Sequence, residues 1–275
     1  MSLNTIPPEI WLKIFHNLPA SELCHVLLSC KSFHALAKEE IYQDISLSSP
    51  QNIVKFLLHI KKNDDAAQKV VSLRFNHRHL LYVNNAHLGS ILQLSKTTLP
   101  RLVNLRNLGL YGVPRNYDAY LNSAWFSQIL DECTFPHLRM FETDVMLTQD
   151  SIDNFLFRHQ STIEVLSLRS DWNAIFSIEP PLRCDRLVMF ACRPFLLRRW
   201  LPMINVPALR RVVVYVGEEC DLNALRENIE NLTIGIPEME IQVYGEIPVG
   251  DVWNAVSHHP LVGVLKVVKV DEAFD

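Results

Sequence analysis

The sequence predicts an α+β chain: a compact three-helix unit at about residues 4–45, then an irregular α/β solenoid with parallel strands at about 46–275. Three observations predict it. The run "TIPPEIWLKIFHNLPASELCHVLLSCKSFHALA", residues 5–37, puts three apolar-periodic segments into one short stretch. Beyond residue 45, short β-type pulses recur at similar spacing. Helix-like pieces lie between several of those pulses, and strand plus helix, repeated, is the pattern of a solenoid.

The first helix is announced by Pro7 and Pro8, which break what precedes them and suit a helix entry. Glu9 then places a carboxylate in the first turn, against the positive helix end. Ile10, Ile14 and Leu18 follow at helical spacing, with Trp11 and Phe15 one step round, which is a stripe wide enough for two partners. Pro19 ends that helix and Ser21 is the expected cap of the next. Leu23, Val26, Leu27 and Cys30 are the expected buried face of the second helix. Phe33, Leu36, Ala37 and Ile41 point inward from a third, running from about Ser32 to Tyr42. So small a bundle cannot bury Ile6, Ile10, Ile14 and Leu18 together. Either they pack on the rest of the chain or they await another protein.

The same residues carry a family resemblance. Ile6-Pro7-Pro8-Glu9-Ile10, Ile14, Leu18, Glu22-Leu23, Val26, Cys30-Lys31 and Phe33 stand in the register of the F-box, and residues 4–42 resemble that family. The departures are Ile6 for the usual Leu, Glu22 for the usual Asp, and Ser29 for the usual Val. The continuation "IYQDISLSSPQNIVKFLLHI" is similar to the segment after the box in many fungal F-box proteins. The resemblance implies a substrate receptor of a Skp–cullin–F-box (SCF) ubiquitin ligase, in which the box docks on a Skp-type adaptor and through it on a cullin. The family's docking positions fall here on Ile6, Pro7, Ile10, Ile14, Leu18, Leu23 and Val26.

Downstream, the pulses are "VVSLRF", "LRNLGLYGV", "LRMFETDVM", "IEVLSLRS", "DRLVMFAC", "LRRVVVYV", "MEIQVYG" and "LVGVLKVV". Several fit the leucine-rich-repeat core L-x-x-L-x-L, best at Leu105-x-x-Leu108-x-Leu110 and Leu209-x-x-Val212-x-Val214; Leu138-x-x-Phe141-x-Thr143 has a polar third position. Taking Leu108, Phe141, Leu166, Leu187, Val212 and Ile241 as equivalent gives spacings of 33, 25, 21, 25 and 29 residues. The longest would carry an insertion at residues 114–126, with Tyr117, Tyr120 and Trp125. Helices are expected over 150–160 and 221–232, the latter capped by Asp221. The irregular spacings leave an ordinary α/β domain with parallel strands as the alternative.

In a solenoid, the neighbours of inward-pointing strand residues line the other face. That parity predicts a face bearing Tyr111, Arg169, Phe190, Arg211, Tyr215 and Tyr244, rich in the aromatic and Arg residues that dominate protein interfaces. These six are the candidate contacts for a protein client; alternating polar residues on a solvated strand face are the bland account of any one of them.

Composition limits the other classes. At 48% hydrophobic and 20% charged residues over 275 positions, the chain can bury a full core. A net charge of −4 gives no global attraction to nucleic acid or an anionic membrane, so neither is an expected partner. No apolar run approaches the roughly 18 residues of a membrane span, and "LVGVLKVVKV" is broken by Lys266 and Lys269. "MSLNTIPPEI" lacks the basic and apolar regions of a secretory signal. Six cysteines without a CxxC pair suit reduced thiols, hence a cytoplasmic or nuclear location.

No G-x-S-x-G, Walker or G-x-G-x-x-G motif occurs, and no cofactor or metal is expected. Cys24, His25, Cys30 and His34 lack zinc-ligand spacing. His77, His79 and His87 lack a paired carboxylate, His258-His259 before Pro260 suits a turn, and the Arg residues of "RPFLLRRW" suit a solvated helix face. The expected function is therefore a non-enzymatic adaptor of an SCF ligase. The rivals are an interaction protein that binds the Skp-type adaptor without forming a ligase, and an enzyme whose site is assembled from distant residues.

Overall fold

The computed structural model describes residues 6–76, 85–111, 119–145, 147–169, 182–201, 204–217, 220–232, 234–257 and 262–270. It opens with α1 (Pro8–His16), α2 (Ala20–Ser29) and α3 (Lys31–Gln43). Pro occupies the first turn of α1, where a missing N–H costs nothing, and Glu9 lies in the same turn. α2 starts one residue before Ser21, with Pro19 as its cap residue. Cys30, in extended conformation, separates α2 from α3. Cys30 is exposed instead of facing the core, because it is this break in the helix and not its last buried turn.

The bundle has its own core. Phe15, Leu23 and Ala37 are buried, and Trp11, Leu18, Val26, Leu27, Phe33, Leu36 and Ile41 pack around them. The rings of Trp11 and Phe33 lie 4.6 Å apart, and Phe15 meets Phe33 edge-on at 5.4 Å.

α3 runs directly into β1 (Asp44–Leu47), which pairs in parallel with β2 (Ser72–Asn76). The expected division at residues 45–46 thus falls inside a strand. Between β1 and β2 lie α4 (Pro50–Lys62) and α5 (Asp64–Lys69), capped by Ser49 and Asn63 side chains accepting the N–H groups of Asn52 and Ala66. Lys38 of α3 pairs with Asp65 at 2.9 Å, and the Tyr42 hydroxyl lies 2.8 Å from His59 Nε2.

The remaining elements are α6 (Asn85–Thr98), a 3-10 turn at Leu99–Arg101, β3 (Asn107–Tyr111), α7 (Ala119–Glu132), β4 (Met140–Thr143), α8 (Gln149–His159) and β5 (Val165–Leu168). After them come β6 (Leu182–Arg183), β7 (Met189–Cys192), α9 (Pro194–Trp200), β8 (Ile204–Asn205) and β9 (Arg211–Val216). α10 (Leu222–Glu230), β10 (Ile236–Val243), α11 (Val249–Val256) and β11 (Val262–Lys269) are the last elements among the described residues. Asp221 caps α10 by accepting the Asn223 N–H at 2.8 Å.

Among the described residues the main sheet runs β1-β2-β3-β4-β5-β7-β9-β10-β11, every pair parallel, with β6 and β8 forming a separate two-stranded sheet. A doubly wound α/β sheet reverses its strand order at a switch point. Here the order never reverses, so right-handed crossovers place successive helices on one side, which is the leucine-rich-repeat-like solenoid and not the alternative domain.

The register aligns Leu73, Leu108, Phe141, Leu166, Phe190, Val212 and Met239 across the sheet. All are buried, as is the row two residues on: Phe75, Leu110, Thr143, Leu168, Cys192, Val214 and Ile241. Three residues before the first row, Val70, Leu105, Leu138, Ile163, Leu187, Leu209 and Ile236 are buried too. The L-x-x-L-x-L core is therefore present in seven consecutive turns. Two expected equivalences are corrected: Phe190, not Leu187, and Met239, not Ile241, share the row of Leu108. From Leu108 on, the spacings become 33, 25, 24, 22 and 27 residues. Thr143 fits a core row because its Oγ1 accepts the Val145 N–H at 3.0 Å. The expected insertion is corrected in part: its residues 119–126 begin the convex helix α7. Tyr117, His77, His79 and residues 258–260 lie outside the described residues, as do the side chains of His87, Tyr120, Trp125, Arg198, Arg199 and Trp200.

Candidate functional site

Two surfaces bring the expected site residues together. The first is α1 and its approach. Ile10 and Ile14, four positions apart, share one face of α1, and Ile6 lies two residues before the helix, while Trp11 and Phe15 turn to the bundle core. Phe15 is 2% exposed, whereas Ile6, Ile10 and Ile14 are 39%, 44% and 43% exposed. Pro7 is exposed beside them. Leu18 and Val26 are half-buried against the core. Leu23 is corrected: it is buried inside the bundle, because its helix turns that side toward Phe15 and Ala37. Sequence reasoning missed Leu28, which stands out at 84% exposed; nothing but its place on the polar side of α2 could have signalled it. Ser29 is exposed and its Oγ donates to the Val26 carbonyl at 2.7 Å, so this departure from the usual Val leaves no hole in the core.

The second surface is the concave face of the sheet, opposite the buried rows. One row across it reads Arg74, Gly109, Glu142, Ser167, Ala191, Val213, Glu240 and Lys266. Two residues along each strand lie Tyr111, Arg169 and Tyr215. Arg169 donates from Nε to Ser167 Oγ at 3.3 Å, and its guanidinium carbon lies 4.7 Å from the centroid of the Tyr215 ring. Tyr215 and Tyr244 rings are 6.2 Å apart, and the Tyr215 hydroxyl is 3.4 Å from Ser167 Oγ. Ala191, Val213 and Tyr215 form a small buried apolar cluster with Met189 and Tyr244 against it.

Phe190 is corrected: it is fully buried in the hydrophobic core. The shifted register of β7 turns Ala191, and not Phe190, to this face. Tyr111, Arg169, Tyr215 and Tyr244 gather at the strand ends, whereas Arg211 lies at the strand start, where it pairs with Glu240 and, at 3.9 Å, with Glu238. Lys266 holds Glu238 from the next strand at 3.0 Å.

The electrostatics follow from this packing. Burial, then the hydrogen-bonded Glu142 carboxylate, pushes the Tyr111 phenol far above its ordinary range. Burial also raises the Tyr215 and Tyr244 phenols above their ordinary value. Burial opposes ionisation of Glu240, but the hydrogen bonds from Gln242 and Arg211 outweigh it and hold the carboxyl below its ordinary value. The face thus carries neutral phenols among fixed charges, suited to contact and not to proton transfer.

Elsewhere, burial pushes the Cys133 and Cys184 thiols up to about 12, so neither is a nucleophile at neutral pH. Among the described residues no group of three or more His, Cys, Asp or Glu side chains could hold a metal ion. No described helix is long and apolar enough to cross a membrane.

Comparison with known proteins gives one family match: the F-box-like family model, over residues 3–48. No curated protein matches the sequence. Among solved structures, the chain is similar to the leucine-rich repeat-containing protein LegL7 from Legionella pneumophila, at 13% identity and a TM-score of 0.42, over 99% of this chain and 82% of that one. It is also similar to a chain of the Rad7 and Elc1 complex in yeast, at 11% identity and a TM-score of 0.32, over 94% of this chain and 75% of that one.

Proposed function

From an F-box-like domain at residues 3–48, continuous with a leucine-rich-repeat-like solenoid, we propose that this chain is the substrate-recognition adaptor of an SCF E3 ubiquitin ligase. The F-box-like domain docks on a Skp-type adaptor and through it on a cullin. The concave face of the solenoid holds a protein client, and the transfer chemistry belongs to other subunits, in cytoplasm or nucleus.

The observation that carries this reading is the ridge of Ile6, Ile10 and Ile14. Ile10 and Ile14 of α1, and Ile6 just before it, are each about two-fifths exposed, while Trp11 and Phe15 of the same helix pack into the bundle core. Each would contribute about 1.5–3 kcal/mol on burial, before the costs of association. Pro7 belongs to the same docking face, with Leu18 and Val26 supporting it from the bundle side. Tyr111, Arg169 and Tyr244 are the proposed client contacts, with Tyr215 buried behind them and Arg211 at the far margin.

The test is affinity purification of the full chain with proteasome inhibition. Co-purification of a Skp-type adaptor, a cullin and a client that is ubiquitylated by the reconstituted complex is the expected result. Recovery of the adaptor without a cullin would favour an interaction protein that forms no ligase. Loss of both would sink the reading.

A further inference from the structure

We infer that residues 97–265 are built to be refused as a ubiquitin acceptor, and that the chain's own self-conjugation falls on three exposed lysines of α4: Lys55, Lys61 and Lys62. This deepens the proposed ligase reading and rests on it.

The inference starts from which cation the chain uses where. Residues 1–96 carry eight Lys and two Arg. Residues 97–265 carry fourteen Arg and no Lys, and Lys returns at 266 and 269. A preference for Arg acting on the whole chain does not produce this, because the preference reverses within the chain.

Packing accounts for part of the Arg set. Arg101 spans the Lys61 carbonyl and Asp64, and Arg211 spans Glu238 and Glu240. Half-buried Arg158 and Arg193 donate to the Leu130 and Arg169 carbonyls. A forked, weakly hydrated guanidinium suits those places better than an ammonium. The exposed members have no such reason. Arg106 and Arg210 stand at equivalent places, directly after the core residues Leu105 and Leu209, and both are exposed. Neither side chain makes a hydrogen bond or ion pair among the described residues. Arg139 and Arg186 are exposed too, and reach Glu164 only at 3.7 and 3.9 Å. Lys would serve at all four for charge and solubility. What separates the two residues there is reactivity: the ε-amine is a nucleophile and the guanidinium is not.

The step avoided is an acyl transfer. A neutral ε-amine attacks the carbonyl carbon of a ubiquitin C-terminal thioester. The C–N bond forms, the C–S bond breaks, and the sulfur leaves as a thiolate that takes up the proton released by the amine. A client held on the concave face brings the solenoid to the same thioester, at the raised effective concentration of a tethered complex. Every amine on the solenoid would then compete with those of the client. Arg keeps the positive charge and removes the competitor.

The acceptor is found by elimination among the ten lysines. Lys38, Lys69, Lys96 and Lys266 are engaged by carboxylates, and Lys269 by the Gly245 and Ile247 carbonyls. Lys13 adjoins Ile14 on the docking helix. Lys31 stands by itself at the start of α3. By contrast, α4 gathers three exposed lysines within eight positions, on a convex helix that carries neither docking nor client contacts.

The test uses the full chain with a recombinant Skp-type adaptor, a cullin–RING module, ubiquitin-activating and ubiquitin-conjugating enzymes, ubiquitin and ATP. Branched Gly-Gly-Lys peptides are mapped by mass spectrometry. Most of the self-conjugate should lie on α4, and Lys55→Arg, Lys61→Arg and Lys62→Arg together should lower it at least threefold. A smaller drop, or a majority of the conjugate on Lys31 or elsewhere, overturns the acceptor assignment. In that triple-variant background, Arg106→Lys with Arg210→Lys should restore self-conjugation and place it at positions 106 and 210. Introduced lysines that carry no ubiquitin overturn the shielding. Capture of the adaptor and cullin by the same preparations separates the failures. If both are captured and conjugation is misplaced, this inference alone fails; if the cullin is not captured, the ligase reading fails and takes this inference with it.

Discussion

His159 Nε2 accepts the backbone N–H of Phe135 at 2.9 Å, tying the end of one convex helix to the turn after the preceding one. Its Nδ1 lies 2.7 Å from the Phe155 carbonyl oxygen, so Nδ1 carries the proton and the ring is neutral. Burial is the main cause that holds the imidazole below its ordinary value of 6.5. The unfolded chain therefore takes up this proton first as pH falls. The stability linked to His159 is complete above about 6.5 and is lost on acidification toward the lower folded value, at up to about 1.4 kcal/mol per pH unit. Urea midpoints at pH 7.5 and 5.5 should fall for the native chain and fall less for His159→Gln. An equal drop in both would assign the acid sensitivity to another group.

On the docking ridge, Ile10→Asp with Ile14→Asp should abolish capture of a Skp-type adaptor. Both side chains are exposed, so the folded bundle should change by no more than about 0.5 kcal/mol. Phe15→Ala, one turn face away, should instead cost the bundle about 3–5 kcal/mol. Pull-down beside circular dichroism separates the two effects, and adaptor capture by the double variant would show that the docking surface lies elsewhere.

In the solenoid, Val212→Asp should unfold several turns in one transition, because each turn buries its row against the next. Phe190→Ala should cost about 3–5 kcal/mol, as a large side chain deep in the core. Arg211→Ala, on the solvated face, should cost less than about 1 kcal/mol. Chemical denaturation of the three variants tests the corrected register directly: a mild Phe190→Ala would put Phe190 back on the surface.

Gly109 leaves room for the Tyr111 ring. A Cβ at that position would come within 2.6 Å of Tyr111 Cε2. Alanine usually stabilises a strand relative to glycine, by about 0.5–1 kcal/mol. Here Gly109→Ala should lower the melting temperature, since the ring must leave Glu142 to make room. Adding Tyr111→Ala should cancel that penalty, and additive effects in the double variant would refute the contact.

The spacing L-x-x-L-x-L was legible because every turn needs the same three inward positions, and Leu105, Leu108 and Leu110 show all three as leucine. Phe190 was misplaced for a physical reason. In "DRLVMFAC" both Leu187 and Phe190 are large and apolar, and alternation alone does not say which begins the strand pair. Only the in-register hydrogen bonding to β5 and β9 decides it. The strand Asp44–Leu47 went unseen because "DISL" is too short and polar to read as a pulse; its partner β2 makes it a strand. The over-wide stripe of α1 was legible as surplus apolar surface. Helical spacing put Leu23 on the buried face of α2, where it lies; its docking role came from the family register, which does not report burial. Arg169 and Tyr215 were predicted on one face from parity, but the fixed plane of the guanidinium depends on a contact between residues 46 positions apart.

The last residue of α3 and the first residue of β1 are neighbours in sequence, and Lys38–Asp65 and Tyr42–His59, one helical turn apart on α3, brace that joint. A joint of this kind has no slack. It works as a bracket: turning the helical bundle would twist the first strand out of its sheet. Lengthening it by a few glycines would leave both surfaces intact and remove only their common aim, so reach and orientation are properties written into a single peptide bond between Gln43 and Asp44.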